Sequence, residues 1–268
     1  MVFRKKDWGL FLLTVIAFTS CNEKQKTLQI TRVKVDSLSQ IHIIKDSLVK
    51  PIVYTQIIDL GNQPIPKAKA LFISAVLPSI LITKHNLETE RKKVHKLKEK
   101  EKWNKEDSIY YFNLEKQYKA SDIENLLKRM STVPNSIVLA QAAVESGWGK
   151  SRFFKEGNNI FGMWSYNRNE PRIKAGLKRA SGPIHVRAYD DISQSIADYF
   201  KTLGSAHAYR ELRTALLESN DPFTLLPHLK YYSERRYEYT EQLKKIIKYN
   251  NLTQYDNYII DPQYFVEL

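Results

Sequence analysis

At 268 residues the chain can hold one substantial core, or one domain plus an extension, which is room enough for an enzyme. Its single cysteine excludes an internal disulfide, and six scattered histidines without ligand spacing leave no expected metal site or cofactor. A formal net charge of +13 favours an anionic partner or a solvated, lysine-covered surface.

Residues 1–20 read as an address and not as fold: Arg4, Lys5 and Lys6, then the apolar stretch "WGLFLLTVIAF", then "TSC". An apolar stretch of eleven residues suits a secretory signal, because a membrane span needs about 20. Ser20 before Cys21 resembles a bacterial lipobox, which implies cleavage before Cys21 and lipidation of that residue. An ordinary cleaved signal or an uncleaved anchor are the alternatives. The expected location is therefore the periplasmic side of a bacterial envelope, lipid-anchored; Asn22 is not an inner-membrane retention signal of the Asp kind, which points to the outer membrane. Export makes nucleic acid an unsuitable partner for the positive charge, and anionic wall polymer or lipid headgroups suit it better.

Residues 21–65 carry short β-branched runs broken by polar residues and end in a proline-rich joint, the pattern of an extended tether outside the core. From Lys67 to about Lys102 the pattern is helical: Pro78 should kink or break it, and one face should lie against the main domain. "SDIENLLKRM" starts a helix with Ser121 as N-cap and Glu124 completing a capping box. Pro134 restarts the chain into a helix from Asn135 to Ser146, closed by Gly147. Between Gly157 and Asp191 the helical period vanishes and "IHVRAY" alternates as a strand does; Asp190 and Asp191 then cap the next helix. Helical periods resume in "ISQSIADYFKTL", "AYRELRTALLES" and "YTEQLKKIIKYNNL". The expected fold is mainly α (α+β), with residues 66–252 as the main domain, a small β-hairpin insertion, and residues 253–268 as a C-terminal tail.

The stretch "VLAQAAVESGWG" carries a lone carboxylate. Helical spacing places Val138, Gln141 and Glu145 on one face, and the alanines around them leave room for a close neighbour. Glu145 falls in the last turn, where free carbonyls make the helix end negative, and Trp148 follows it; both would raise its carboxyl pKa. A glutamic acid still protonated near neutrality is what a leaving glycosidic oxygen needs. A glutamate capping local N–H groups, or paired with Lys150 or Arg152, is the competing interpretation.

"VPNSIVLAQAAVESGWGKSRFFKEGNNIFGMW", "VRAYDDISQSIADYFKTLGSAHAYRELR" and "YYSERRYEYTEQLKKII" together resemble the Bax-type branch of the bacterial peptidoglycan glucosaminidases, glycoside hydrolase family 73. The resemblance extends more weakly upstream and covers roughly residues 65 to 252. It implies a lysozyme-like helical fold and an endo-β-N-acetylglucosaminidase cutting after N-acetylglucosamine in peptidoglycan. Glu145 matches the family's general acid. Tyr232 matches its active-site tyrosine, with Tyr231 beside it as the competing position. "GNNIFGMW" matches part of the substrate groove. The hairpin of many relatives carries a second glutamate, but "AGLKRASGPIHVRAY" holds no acid, so the second catalytic group is open. Glu170, in its Pro-flanked loop, is the candidate, and substrate assistance by the sugar's own N-acetyl group is another route. Trp148, Phe161, Trp164 and Tyr189 are candidates to stack on sugars, with core packing the alternative for these aromatics and the expectation for Phe161 and Trp148. Gln141, Asn158 and Asn159 are candidates to hydrogen-bond them, with turn formation the alternative for the two asparagines. A wall-binding protein without activity, or a lytic transglycosylase, would use the same groove.

Overall fold

The computed structural model describes residues 26–179 and 182–267. The signal-like stretch and Cys21 lie outside these residues. Four short strands open the fold: β1 (Lys26–Leu28), β2 (Thr31–Lys34), β3 (Leu48–Val49) and β4 (Ile52–Gln56). Helices α1 (Ile65–Glu99), α2 (Lys105–Tyr118), α3 (Ile123–Arg129), α4 (Asn135–Ser146) and α5 (Arg152–Gly157) follow. A hairpin of β5 (Arg172–Arg179) and β6 (Gly182–Arg187) leads to α6 (Ile192–Ser205), α7 (Arg210–Ala215), α8 (Pro222–Leu225) and α9 (Tyr237–Tyr249). Strands β7 (Ile259–Ile260) and β8 (Phe265–Glu267) close the chain's described part. The class is the expected one, helix-dominated α+β.

Helix α1 is the centre of the core and not a flank. Every residue from Leu71 to Thr83 is buried, so no solvent face exists over that stretch. By length and composition α1 could cross a membrane, yet 72% of its most apolar window is buried inside the fold. Pro78 sits within α1 and does not end it. An interior proline costs about 3 kcal/mol. Each buried Leu, Ile, Phe or Val contributes about 1.5–3 kcal/mol, so Phe72, Val76, Leu77 and Ile80 around it outweigh that cost.

The N-terminal segment is not a tether. Val35, Ile41, Val49, Val53, Tyr54, Ile57 and Leu60 are all buried in the common core. Its strands find partners far along the chain: β1 pairs antiparallel with β8, β2 parallel with β4, and β3 parallel with β7. Arg32 of β2 forms an ion pair with Asp191, which also caps α6 by accepting from the Gln194 N–H at 3.2 Å. Burial would push the Asp191 carboxyl up, but Ser193, Arg32 and the Gln194 N–H outweigh it and hold the pKa low. The C-terminal segment is equally built in. Asp256 accepts from the N–H and hydroxyl of Ser136, both at 2.7 Å, and so caps the start of α4.

Local signals held for α4, which runs from Asn135 to Ser146 and ends on Gly147 at φ 59°. The start of α3 shifts by one residue: Asp122, not Ser121, is the N-cap and accepts from the Asn125 N–H at 2.7 Å. Asp122 bonds the Ser121 hydroxyl as well, so serine supports the cap and does not form it.

The hairpin is anchored where Gly157 meets it; a Cβ there would lie 2.6 Å from Ile173 Cδ1. Its open edge takes a further short partner: Ser165 N–H donates to the His185 carbonyl and Arg187 N–H to the Met163 carbonyl, both at 2.9 Å. This edge sets the Met163–Ser165 segment beside α6.

Candidate active site

Glu145 opens onto a groove of about 630 Å³. One wall is the segment Phe161, Gly162, Met163, Trp164 and Tyr166; the other is built from Tyr209 and Tyr232. Arg187, Asp198 and Thr202 complete it from the hairpin and α6.

Behind Glu145 runs a hydrogen-bond chain with one direction. The Tyr199 hydroxyl donates to Gln141 Oε1 at 2.7 Å, Gln141 Nε2 donates to the Tyr239 hydroxyl at 3.0 Å, and Tyr239 donates to Glu145 Oε1 at 2.8 Å. Gln141 is fully buried, so its amide must be satisfied internally, and its two ends fix which way each tyrosine points its proton. Burial raises the Glu145 carboxyl pKa; the Tyr239 hydroxyl and the positive Arg235 oppose it without cancelling it. Arg235 lies 5.8 Å from the Tyr239 ring.

This corrects the one-face reading of α4. Val138 and Gln141 are buried, and among the three only Glu145 reaches the groove. Trp148 is not beside the groove either. After the left-handed Gly147 the chain turns, and Trp148 packs edge-on to Phe72 at 5.6 Å with Lys69 over its ring at 4.9 Å. The raised pKa of Glu145 has its burial as the cause, while the indole makes its ring contacts with Phe72 and Lys69. Arg152 pairs with Glu156 at 2.9 Å, not with Glu145.

Tyr232, not Tyr231, lines the groove; Tyr231 is 47% exposed and has Arg236 over its ring at 4.7 Å. Tyr232 stacks on Tyr239 at 5.7 Å with 6° between rings, and its buried hydroxyl has no hydrogen-bond partner among the described residues. Burial, with Tyr239 and Glu145 nearby, raises its phenol pKa and keeps it neutral. Phe161 lines the groove from within the core, stacked on Tyr199 at 4.3 Å. Trp164, 38% exposed, faces the groove.

Asn158 and Asn159 are structural. Asn158 Nδ2 donates to the carbonyls of Thr55 and Tyr189, and Asn159 Nδ2 donates to those of Met163 and Arg187. Both tie the wall in place and neither lines the groove. Tyr189 gives its hydroxyl to Asp198 at 2.6 Å and lines a neighbouring cavity. Glu170 lies in that cavity too, 3.4 Å from Arg187 Nε, and does not line the Glu145 groove.

Three groups escaped sequence reasoning. Tyr239 sits at helical spacing with Leu243 and reads as an ordinary core residue. Asp198 reads as a solvated helix position in "IADYF", yet it lines the groove and pairs with Arg187 at 2.6 Å. Arg187 alternates in a strand whose partner segment no local pattern announces.

Residues 120–252 match the family model described as Glucosaminidase: Mannosyl-glycoprotein endo-beta-N-acetylglucosaminidase. Protein bax of Escherichia coli (strain K12) is 27% identical over 202 residues, covering 69% of this chain and 71% of that protein. Among solved structures, the catalytic domain of the autolysin Auto from Listeria monocytogenes aligns at TM-score 0.44 and 20% identity, covering 73% of this chain and 92% of that one. A peptidoglycan hydrolase from Sphingomonas sp. A1 aligns at TM-score 0.38 and 25% identity, covering 52% and 86% respectively.

Proposed function

We propose that this chain, which belongs to the glucosaminidase family of glycoside hydrolases through residues 120–252, cuts the β-1,4 bond after N-acetylglucosamine in peptidoglycan, with Glu145 as general acid. The observation that carries this is the setting of Glu145: a half-buried carboxyl on a groove, with its pKa raised by desolvation and one oxygen taken by Tyr239. With Oε1 so occupied, the proton to be transferred belongs on Oε2.

Among the described residues, no second free carboxylate lines the groove to support direct attack. Asp198 is the other acid on the groove, and Arg187 and Tyr189 both hold its Oδ2 at 2.6 Å. It fixes the hairpin wall and leaves the nucleophile to come from the substrate. The substrate's acetamido oxygen attacks C1 while the C1–O bond breaks and the leaving oxygen takes the Glu145 proton. Water then opens the cyclic intermediate and returns a proton to Glu145, giving net retention. Tyr232 orients the acetamido group, because a buried hydroxyl without a partner costs about 1–3 kcal/mol that a bound acceptor would relieve.

Cys21 is part of the same reading as the lipid attachment site. Lys26 already belongs to β1, so the five residue steps between them limit an anchored fold to about 18 Å from its lipid.

The test is mass spectrometry of fragments released from purified sacculi. Reducing-end N-acetylglucosamine supports the proposal. 1,6-Anhydro-N-acetylmuramic acid would make the chain a lytic transglycosylase, and sacculus binding without any fragment would remove the chemistry from Glu145.

A further inference from the structure

A further cavity, of about 570 Å³, is joined to the groove by shared elements. Arg210 follows the groove residue Tyr209, and His228 lies four residues before the groove residue Tyr232 in the same 3-10 helix, Leu226–Tyr232. Lys128 and Arg129 enter this cavity from the end of α3, and Arg210 and Arg213 from α7.

Two of these cations converge on one helix end. Arg213, 4% exposed, donates through Nη1 to the carbonyls of Leu203 and Ala206 at 2.7 and 2.9 Å. Arg129 donates through Nη1 to those of Gly204 and Ser205 at 3.0 and 3.3 Å. Gly204 permits the approach, since a Cβ there would lie 2.3 Å from the Arg129 carbonyl oxygen. A helix C-terminus carries only about half a negative charge, too little for two guanidiniums. Two acids, Glu211 and Glu218, share the lining with Lys128, Arg129, Arg210 and Arg213, which leaves cations in excess, and Glu211 is drawn toward His228 and Lys230, at 3.8 and 3.7 Å. Arg210 has no ion pair among the described residues. Burial first, then the positive Arg129 and Arg210, lower the Arg213 pKa to about 10.

We propose that this cavity is a carboxylate subsite, which takes an acidic end of the peptide stems carried by the glycan strand in the groove. The assignment rests on the peptidoglycan reading above. Guanidiniums suit it because their planar fork meets a carboxylate with two parallel N–H bonds. With Arg213 only 4% exposed on the lining, the cavity suits a single peptide end and not the flat array of a lipid surface.

The test uses the full chain with Glu145→Gln, which removes turnover, titrated with free stem tetrapeptide in a calorimeter. Arg210→Ala and Lys128→Ala, both on the rim, should each weaken binding about tenfold, as loss of a charged hydrogen bond does. Amidating the peptide's carboxylates should do the same. Equal affinity of the parent and both rim variants overturns the proposal, as does equal affinity for the amidated peptide. Binding of inorganic phosphate or of anionic-lipid vesicles without binding of the peptide overturns it in favour of another anion. Because the free peptide binds without being cleaved, failure of the catalytic reading would leave this result standing. With the active chain, the KM preference for stem-bearing over stem-stripped glycan should collapse in Arg210→Ala.

Discussion

Two carboxyl groups line the groove, Glu145 from the end of α4 and Asp198 from α6, in opposite surroundings. Glu145 is half buried, receives one neutral hydrogen bond and has a raised pKa. Asp198 is held by a guanidinium and a phenol, both at 2.6 Å. The same cleft thus keeps one carboxyl available for a proton and spends the other on holding a wall. The lesson is that lining a groove does not assign a role; the partners behind each carboxyl do.

The sharpest way to break this comparison is Glu145→Gln. Loss of the general acid should lower kcat on sacculi by about 10²–10⁴-fold, read as release of reducing ends. Near-normal turnover would place the chemistry elsewhere. Asp198→Asn should instead act on structure: it leaves Arg187 short of a partner, should cost about 1–2 kcal/mol in urea unfolding after allowing for the exposure of the pair, and should raise KM more than it lowers kcat. A kcat loss equal to that of Glu145→Gln would make Asp198 a second catalytic residue.

Tyr239→Phe sharpens the Glu145 side alone. Tyr239 holds the Glu145 pKa down, so its loss raises that pKa further. The working form is protonated and is lost as pH rises through this pKa, so the alkaline limb of the kcat profile should move to higher pH, with kcat itself falling about tenfold through looser positioning. Gln141→Leu strands the buried Tyr199 hydroxyl and removes the bond that Tyr239 accepts, and should destabilise by about 1–3 kcal/mol, while shifting the same limb in the same direction.

The smallest expected effect is on stability. Because the folded state raises the Glu145 pKa, it binds a proton more tightly than the unfolded chain does. The favourable share is present at low pH and is lost as pH rises through the unfolded and then the folded value. Glu145→Gln should therefore gain stability over the parent as pH increases, and a variant–parent difference in denaturant midpoint that is the same at pH 4 and pH 8 would contradict this sign.

Local chemistry in the sequence was enough to place α4, its Gly147 stop, the Asp191 cap and Glu145 at the end of its helix, since each depends on neighbours a few residues away. It also carried the helix-dominated class. The sequence could not show that residues 26–60 and 256–267 are part of the fold, because their short strands pair with one another across the length of the chain. Nor could it show that Gln141 faces inward or that Trp148 turns away. Helical spacing names a shared face, but which neighbour covers that face is decided when α4, α6 and α9 pack. Only that packing buries the Tyr199–Gln141–Tyr239 chain and directs it at Glu145, and burial is what raises the pKa of an otherwise ordinary glutamate.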